Sequence, residues 1–211
     1  MILLGKFITL EGIDGAGKST NSLWLADILR SRGLNVINTR EPGGTELGDK
    51  IRHIILENDM SPEAETMLIF AARFEHFKNI IQPSIRNNIW VICDRFIDAT
   101  YAYQGSGKGV SLEFIKSLEG LLSTNMASSI VPDLTLLFDI PFDLMLQRIS
   151  HIKKLDRFER NNDIFFNRVR KSYLEIARKN PCRVKVIDSS KCLENTKSII
   201  SEIINNFLVS L

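Results

Sequence analysis

Residues 7–20 read FITLEGIDGAGKST, and the fold turns on this stretch. Phe7, Ile8 and Leu10 make a short apolar run with the character of a buried strand. Behind it, Gly12-Ile13-Asp14-Gly15-Ala16-Gly17-Lys18-Ser19 fits the pattern G-x-x-x-x-G-K-[ST]. Each residue type has a physical task there. Glycines let the backbone curl until its N–H groups point inward, where they donate to phosphate oxygens. Lys18 brings a mobile cation to the β- and γ-phosphates, and the Ser19 hydroxyl suits a magnesium ion. Thr20 then enters a helix whose positive N-terminal end adds to the same anion site. A chance glycine turn is the competing reading, and a complete motif between strand and helix argues against it.

Outward from the loop, strand-like runs and helical periodicities alternate. Leu23, Trp24, Ala26, Ile28 and Leu29 recur at roughly helical spacing up to Gly33, a C-cap residue. Val36 and Ile37 read as a second strand, and Arg40-Glu41-Pro42-Gly43-Gly44-Thr45 as a turn. Leu47, Ile51, Ile54 and Ile55 make a helical face. Ser61 and Pro62 suit the N-cap and first position of a helix running toward Ile81 and stopping before Pro83.

Residues 89–93 are a continuous apolar run ending in Asp94-Arg95, the pattern of a buried parallel strand. Further helices are expected near 98–109 (passing into a loop), 111–122, from Pro141, over 163–179 and over 193–208, with strands at 134–140 and 184–187. Five strands alternating with helices predict an α/β fold. It is one domain over 1–211, a five-stranded parallel sheet flanked by helices. Ligands of such sheets bind beyond the carboxyl ends of the strands. That places residues 11–19, Arg40, Asp94, Arg95 and Ser189 along one edge, with a short helical lid at about 150–160.

Composition narrows the class. The chain has 211 residues, 44% hydrophobic and 25% charged, as in ordinary globular proteins. A net charge of +2 gives no reason to expect nucleic acid or a membrane surface as partner. The apolar start, Met1 to Leu4, is interrupted by Gly5 and Lys6, and the longest uncharged stretch, 120–132, is too short to span a bilayer. Cys93, Cys182 and Cys192 show no metal or disulfide spacing, which suits a reducing cytoplasm. Cys93 reads as small buried filler.

A phosphate loop does not by itself separate kinases, GTPases and motor ATPases. Asp94, at the end of an apolar strand, suits magnesium held through water, and Arg95 brings a cation to the same cleft. A structural salt bridge at a strand end is the alternative. Arg148, Lys153, Lys154, Arg157 and Arg160 form a second basic cluster, placed where a closing lid neutralises a transferring phosphoryl group. For Arg160 a solvated face is preferred. No N-K-x-D guanine reader occurs, which argues against a GTPase, and intact Lys18, Ser19, Asp94 and Arg95 argue against a non-catalytic scaffold.

These residues carry a family resemblance. Glu11 to Thr20, T-R-E-P-G-G-T at 39–45, F-A-A-R at 70–73, Asp94-Arg95, A-Y-Q-G at 102–105, P-D-L at 132–134, L-D-R at 155–157 and F-F-N-R at 165–168 stand in one order. Together they resemble the bacterial thymidylate kinase family over nearly the whole chain. The resemblance implies a P-loop nucleoside-monophosphate kinase fold and transfer of the γ-phosphoryl group of ATP to dTMP, giving dTDP and ADP, with Mg2+. A kinase for dUMP or CMP is the runner-up.

It also implies roles. Gly12, Ile13, Asp14, Gly15, Ala16, Gly17, Lys18, Ser19, Thr20 and Arg148 would bind ATP, and Ser19 and Asp94 the metal. Arg95 would bind the dTMP phosphate, with Arg40 helping. Asp14 would accept the sugar 3′-hydroxyl, and Tyr103 would disfavour a ribose. Arg73 would donate to thymine O4, with Thr100 or Gln104 at the base edge. Lys18, Arg95, Lys153 and Arg157 would serve transfer. Helices between 46 and 81 would form a homodimer interface.

The chain departs from the family pattern in three places. Gly15 stands where some members carry a loop arginine, which hands that cation to the lid. There Ile152 falls where related enzymes carry one, leaving Lys153 or Lys154 as the substitute. Ile69 replaces a Phe that stacks on thymine, with Phe70 one place later and Phe74 nearby. Ala99 stands where a hydroxyl residue is common.

Overall fold

A computed structural model describes residues 4–126, 131–150 and 163–211. Strand β1, Phe7–Glu11, is buried along its whole length, and the phosphate loop leaves its carboxyl end. Helix α1, Lys18–Ser31, closes with Gly33 at φ 82°, whose own N–H donates to the Arg30 carbonyl while its neighbours Arg32 and Leu34 donate to the Leu29 carbonyl. That is the left-handed stop expected from glycine. Strand β2, Val36–Arg40, leads into the turn and then α2, Glu46–Glu57, which Thr45 caps by accepting from Gly48 N.

Helix α3, Pro62–His76, starts on Ser61, whose hydroxyl accepts from Ala64 N. It does not stop before Pro83. A wider π turn, Phe77–Ile81, carries the chain into α4, Gln82–Arg86, with Pro83 in its first turn. Proline lacks only its own N–H, and it is tolerated at the start of a new helical register.

Strand β3, Trp90–Asp94, is followed by the short α5, Ile97–Thr100, and a second π turn, Tyr101–Gly107. Then come α6, Leu112–Met126, β4, Leu134–Asp139, and α7, Phe142–Ser150. The described chain closes with α8, Asp163–Lys179, β5, Val184–Asp188, and α9, Leu193–Val209.

The strands pair in parallel, as the alternation of elements predicts, and the structure sets them in the order β2-β3-β1-β4-β5. After β2 the chain returns to insert β3 beside β1, then crosses to β4 on the other side. The loop therefore opens at the centre of the sheet, where the connections diverge and a crevice forms. Register aligns Leu10 with Asp94, so the ends of β1 and β3 lie side by side. One core joins Ile8, Leu10, Leu25, Leu29, Leu136 and Phe166; another, across the sheet, joins Phe7, Phe77, Val91, Cys93 and Phe96. Cys93 is fully buried, as its apolar run suggested.

On α2 the expected face splits. Ile51 and Ile55 are buried against Ile69 and Ala72 of α3, whereas Leu47 and Ile54 are exposed. At about 100° per residue, Leu47 and Ile54 fall side by side on one flank of the helix, turned away from the Ile55 edge that α3 covers.

Candidate active site

Gly12, Gly15 and Gly17 all hold positive φ, at 131°, 69° and 90°. A Cβ on Gly12 would sit 2.3 Å from the Phe138 carbonyl oxygen, so β4 packs where only glycine fits. Lys18 arches back across the loop, its Nζ donating to the carbonyls of Gly12 (3.1 Å) and Ile13 (2.9 Å). Burial lowers its pKa, with the Arg95 charge acting in the same direction. Ser19 Oγ donates to Asp94 Oδ2 at 2.9 Å. The other Asp94 oxygen is buried without a hydrogen-bond partner. A hydroxyl beside an unanswered carboxylate oxygen is a hard-oxygen pair of the kind magnesium takes, alongside phosphates and water. Arg148 ties the loop to the end of β5, donating to the Ser189 carbonyl (2.8 Å) and the Gly15 carbonyl (3.4 Å), and Ser189 Oγ donates to the Ala16 carbonyl.

Arg95 follows β3 with φ 71°, unusual for a residue with a side chain. Its guanidinium turns under the loop. Nη1 donates to the Gly12 carbonyl (3.0 Å) and Tyr173 Oη (3.3 Å); Nη2 donates to Asp14 Oδ1 (2.6 Å) and Tyr103 Oη (3.1 Å). The cation also lies 4.6 Å from the Tyr103 ring centroid. Burial works against the charge on Asp14, but Arg95 and Lys18 outweigh it and hold this carboxyl well below the usual carboxylate range.

Beside this cluster opens a hollow lined by Ile55, Leu56, Ile69, Phe96 and Ala99 on its apolar side and by Asp14, Arg52, Arg73, Thr100, Tyr103 and Gln104 among its polar groups. Arg73 is 1% exposed. Its three nitrogens donate to Glu41 Oε2 (2.6 Å), Thr100 Oγ1 (3.0 Å) and the Phe96 carbonyl (3.0 Å). Glu41 is in turn bonded to His76 Nδ1 at 2.9 Å, and His76 Nε2 to Thr39 Oγ1 at 2.7 Å. A cation locked from three sides presents a fixed donor pattern, which is what reading a base edge requires. Gln104 Nε2 donates to Glu65, which Lys108 also grips.

Of the candidates, Ile69 lines the hollow, but Phe70 lies beneath Arg73, its ring centroid 5.0 Å from the guanidinium carbon, and Phe74 is half-buried against the core. Arg40 pairs with Asp49 at 2.9 Å and lines a second hollow with Asp14, Gly15, Lys18, Ser19, Thr20, Asp94 and Arg148. Lys153, Lys154, Arg157 and Arg160 lie outside the described residues, as does nearly all of the expected lid.

Arg52, which lines both hollows, His76 and Tyr173 stand outside every motif of the sequence. Glu41 lies within T-R-E-P-G-G-T, where nothing in its neighbours marks it as the partner of Arg73. Glu11 had a readable signal, a carboxylate closing an apolar central strand. Tyr173, on a helix far along the chain, had none.

A phosphate loop on the central strand, the Ser19–Asp94 pair and a neighbouring base-sized hollow define a P-loop nucleoside-monophosphate kinase. The thymidylate kinase family model matches residues 10–200. Similar relatives include the thymidylate kinases of Bordetella pertussis, 48% identical over 90% of this chain and 89% of theirs, and of Nitrosomonas europaea, 44% identical over 96% and 94%. The crystal structure of thymidylate kinase from Ehrlichia chaffeensis superposes with a TM-score of 0.75 at 35% identity, covering 94% of this chain and 98% of that one. The chain belongs to the thymidylate kinase family. It is a phosphotransferase that phosphorylates dTMP with ATP as co-substrate, and dUMP or CMP is not favoured as the acceptor.

Proposed function

We propose that the γ-phosphoryl group of ATP passes to the dTMP phosphate across the phosphate loop, within a single domain spanning 1–211. The observation that carries this reading is the shared wall of the two hollows. Asp14, Glu41, Arg52 and Arg95 line both, so a base seated over Ile69 can direct its phosphate toward Lys18 and Ser19.

In this reading ATP lies along residues 12–20 with Arg148 beside it, and the nucleotide's β- and γ-phosphates meet Lys18. Ser19 and Asp94 hold magnesium, which neutralises phosphate charge when bound. Arg95 takes the dTMP phosphate, assisted by Arg40. Its four internal acceptors keep it in place between turnovers, and fixed cations lower the barrier without reorganising. Asp14, ionised, accepts the 3′-hydroxyl. Tyr103 closes on the sugar, Arg73 donates to O4, and Thr100 or Gln104 meets the base edge. Ile69 packs on the base, with Phe70 behind Arg73. Lys153 and Arg157 complete the charge around the transferring group from the lid at about 150–160.

Two copies pair through α2 and α3, where Leu47, Ile54 and Met67 are exposed. A cytoplasmic site of action agrees with three free thiols, and no described helix is long and apolar enough to cross a membrane. A coupled assay with ATP and each monophosphate tests the acceptor. Fastest turnover is expected with dTMP, and faster turnover of CMP would overturn the reading. Lys153→Ala is expected to lower turnover more than dTMP affinity; the reverse pattern would move the lid role to Arg157 or Arg148.

A further inference from the structure

Glu11 is 1% exposed, yet it closes the central strand directly beneath the loop. Its two oxygens have separate duties. Oε1 accepts from Phe96 N at 2.7 Å, the amide that follows Arg95. Oε2 accepts from Tyr173 Oη at 2.8 Å, and the same Tyr173 oxygen accepts from Arg95 Nη1 at 3.3 Å. One carboxylate therefore holds Arg95 at both ends. The backbone end is the left-handed turn at φ 71°, a conformation that persists only when neighbouring bonds over-determine it. The side-chain end is the guanidinium, reached through a tyrosine from α8.

We propose that Glu11 is a positioning residue for acceptor-phosphate binding, acting on Arg95 through Phe96 N and Tyr173. The proposal rests on Arg95 being the residue that takes the dTMP phosphate.

Proton state decides how well this works. Ionised Glu11 accepts from both partners, so the Tyr173 proton points at Glu11 and its lone pairs are left for Arg95. A protonated carboxyl has to donate one hydrogen, and donation to Tyr173 reverses that bond, so the tyrosine oxygen must serve two donors at once. The groups facing Glu11 are Asp98 from α5, Arg95 and Cys93 from β3 and its exit, Tyr173 from α8, and Lys18 from α1. Asp98 is itself bound by Arg183 at 2.8 Å. Burial, then Asp98, pushes the Glu11 pKa up to about 7. Its change of state thus falls close to neutral pH.

Glu11→Gln distinguishes positioning from a merely structural role, because the amide keeps an acceptor for Phe96 N but is neutral and donates toward Tyr173. Calorimetric titration of the full chain with dTMP, at about pH 8.5 and about pH 5.5, is the measurement, with thermal unfolding and the KM for ATP alongside. One charge-assisted hydrogen bond corresponds to roughly a tenfold change in Kd. At the higher pH the variant is expected to bind dTMP about tenfold more weakly than wild type. At the lower pH the ratio should approach one, since wild type is then neutral too. Titration of the dTMP phosphate cancels in that ratio. The KM for ATP should stay within about twofold, and the variant should melt higher than wild type at the alkaline pH.

Equal dTMP affinity at both pH values overturns the proposal, as does a loss of stability and ATP binding in step with dTMP binding. Tyr173→Phe should reproduce the weaker dTMP binding; wild-type affinity in that variant also overturns it. Arg95→Lys separates the two readings. If it leaves the dTMP Kd unchanged, the role of Arg95 itself fails; if it weakens binding while Glu11→Gln does not, only the role of Glu11 fails.

Discussion

Lys18 is buried within the phosphate loop and not among the apolar side chains of the core. Its ammonium is satisfied by two loop carbonyls, and burial pulls its pKa down, so removing it also removes a desolvated charge. Lys18→Ala is expected to unfold cooperatively like wild type while phosphoryl transfer falls about a hundredfold or more; near-normal turnover would refute its role. Glu11 makes the opposite kind of demand. Its carboxyl rises from 4.5 to about 7 in the folded chain, through burial first and Asp98 second. A raised folded pKa means that the group's stabilising contribution is complete below 4.5 and is lost as pH rises through 7. The span is on the order of 3 kcal/mol. Denaturant midpoints measured across that window should fall for wild type relative to Glu11→Gln, whose side chain does not titrate. Parallel midpoints for the two proteins would contradict the raised value. A carboxylate kept where it weakens the fold at neutral pH is the pattern of a residue retained for function.

At the scale of elements, the loop and β4 constrain one another. Gly12 combines φ 131° with a Cβ position 2.3 Å from a backbone oxygen of β4, and backbone cannot swing aside as a flexible side chain can. Gly12→Ala is expected to lower Tm and to weaken ATP and dTMP binding together, because the displaced carbonyl of Gly12 is an acceptor for both Lys18 and Arg95. Unchanged binding of either nucleotide in calorimetry would show that the loop absorbs the methyl. The two π turns matter in a different way. The one at Phe77–Ile81 passes the chain through a proline into α4, and the one at Tyr101–Gly107 carries Tyr103 and Gln104 to the site. Widened turns re-aim the side chains they carry, and neither is visible in hydrophobic spacing.

For the whole molecule, the split face of α2 bears on assembly. Leu47, Ile54 and Met67 stay exposed while Ile51 and Ile55 bury, so the α2–α3 pair carries an apolar surface that its own fold leaves uncovered. Sedimentation should give twice the chain mass for wild type, and Ile54→Asp should shift it toward the monomer without lowering helix content. A monomeric wild type would remove the dimer. The sequence by itself determined the phosphate loop, the alternation of strands and helices, the parallel sheet and the family. Each of those is written in neighbouring residues or in a period of two to four. It did not reveal the helix running through Pro83, because a π turn leaves no such period. Nor did it reveal what surrounds Arg95 and Arg73. Glu11 meets Tyr173 across 162 positions, Arg95 meets Asp14 across 81, and Arg73 meets Glu41 across 32. Only the pairing of β1 with β3, and the packing of α3 and α8 against that sheet, close such distances. Burial then makes each contact strong by taking the water away.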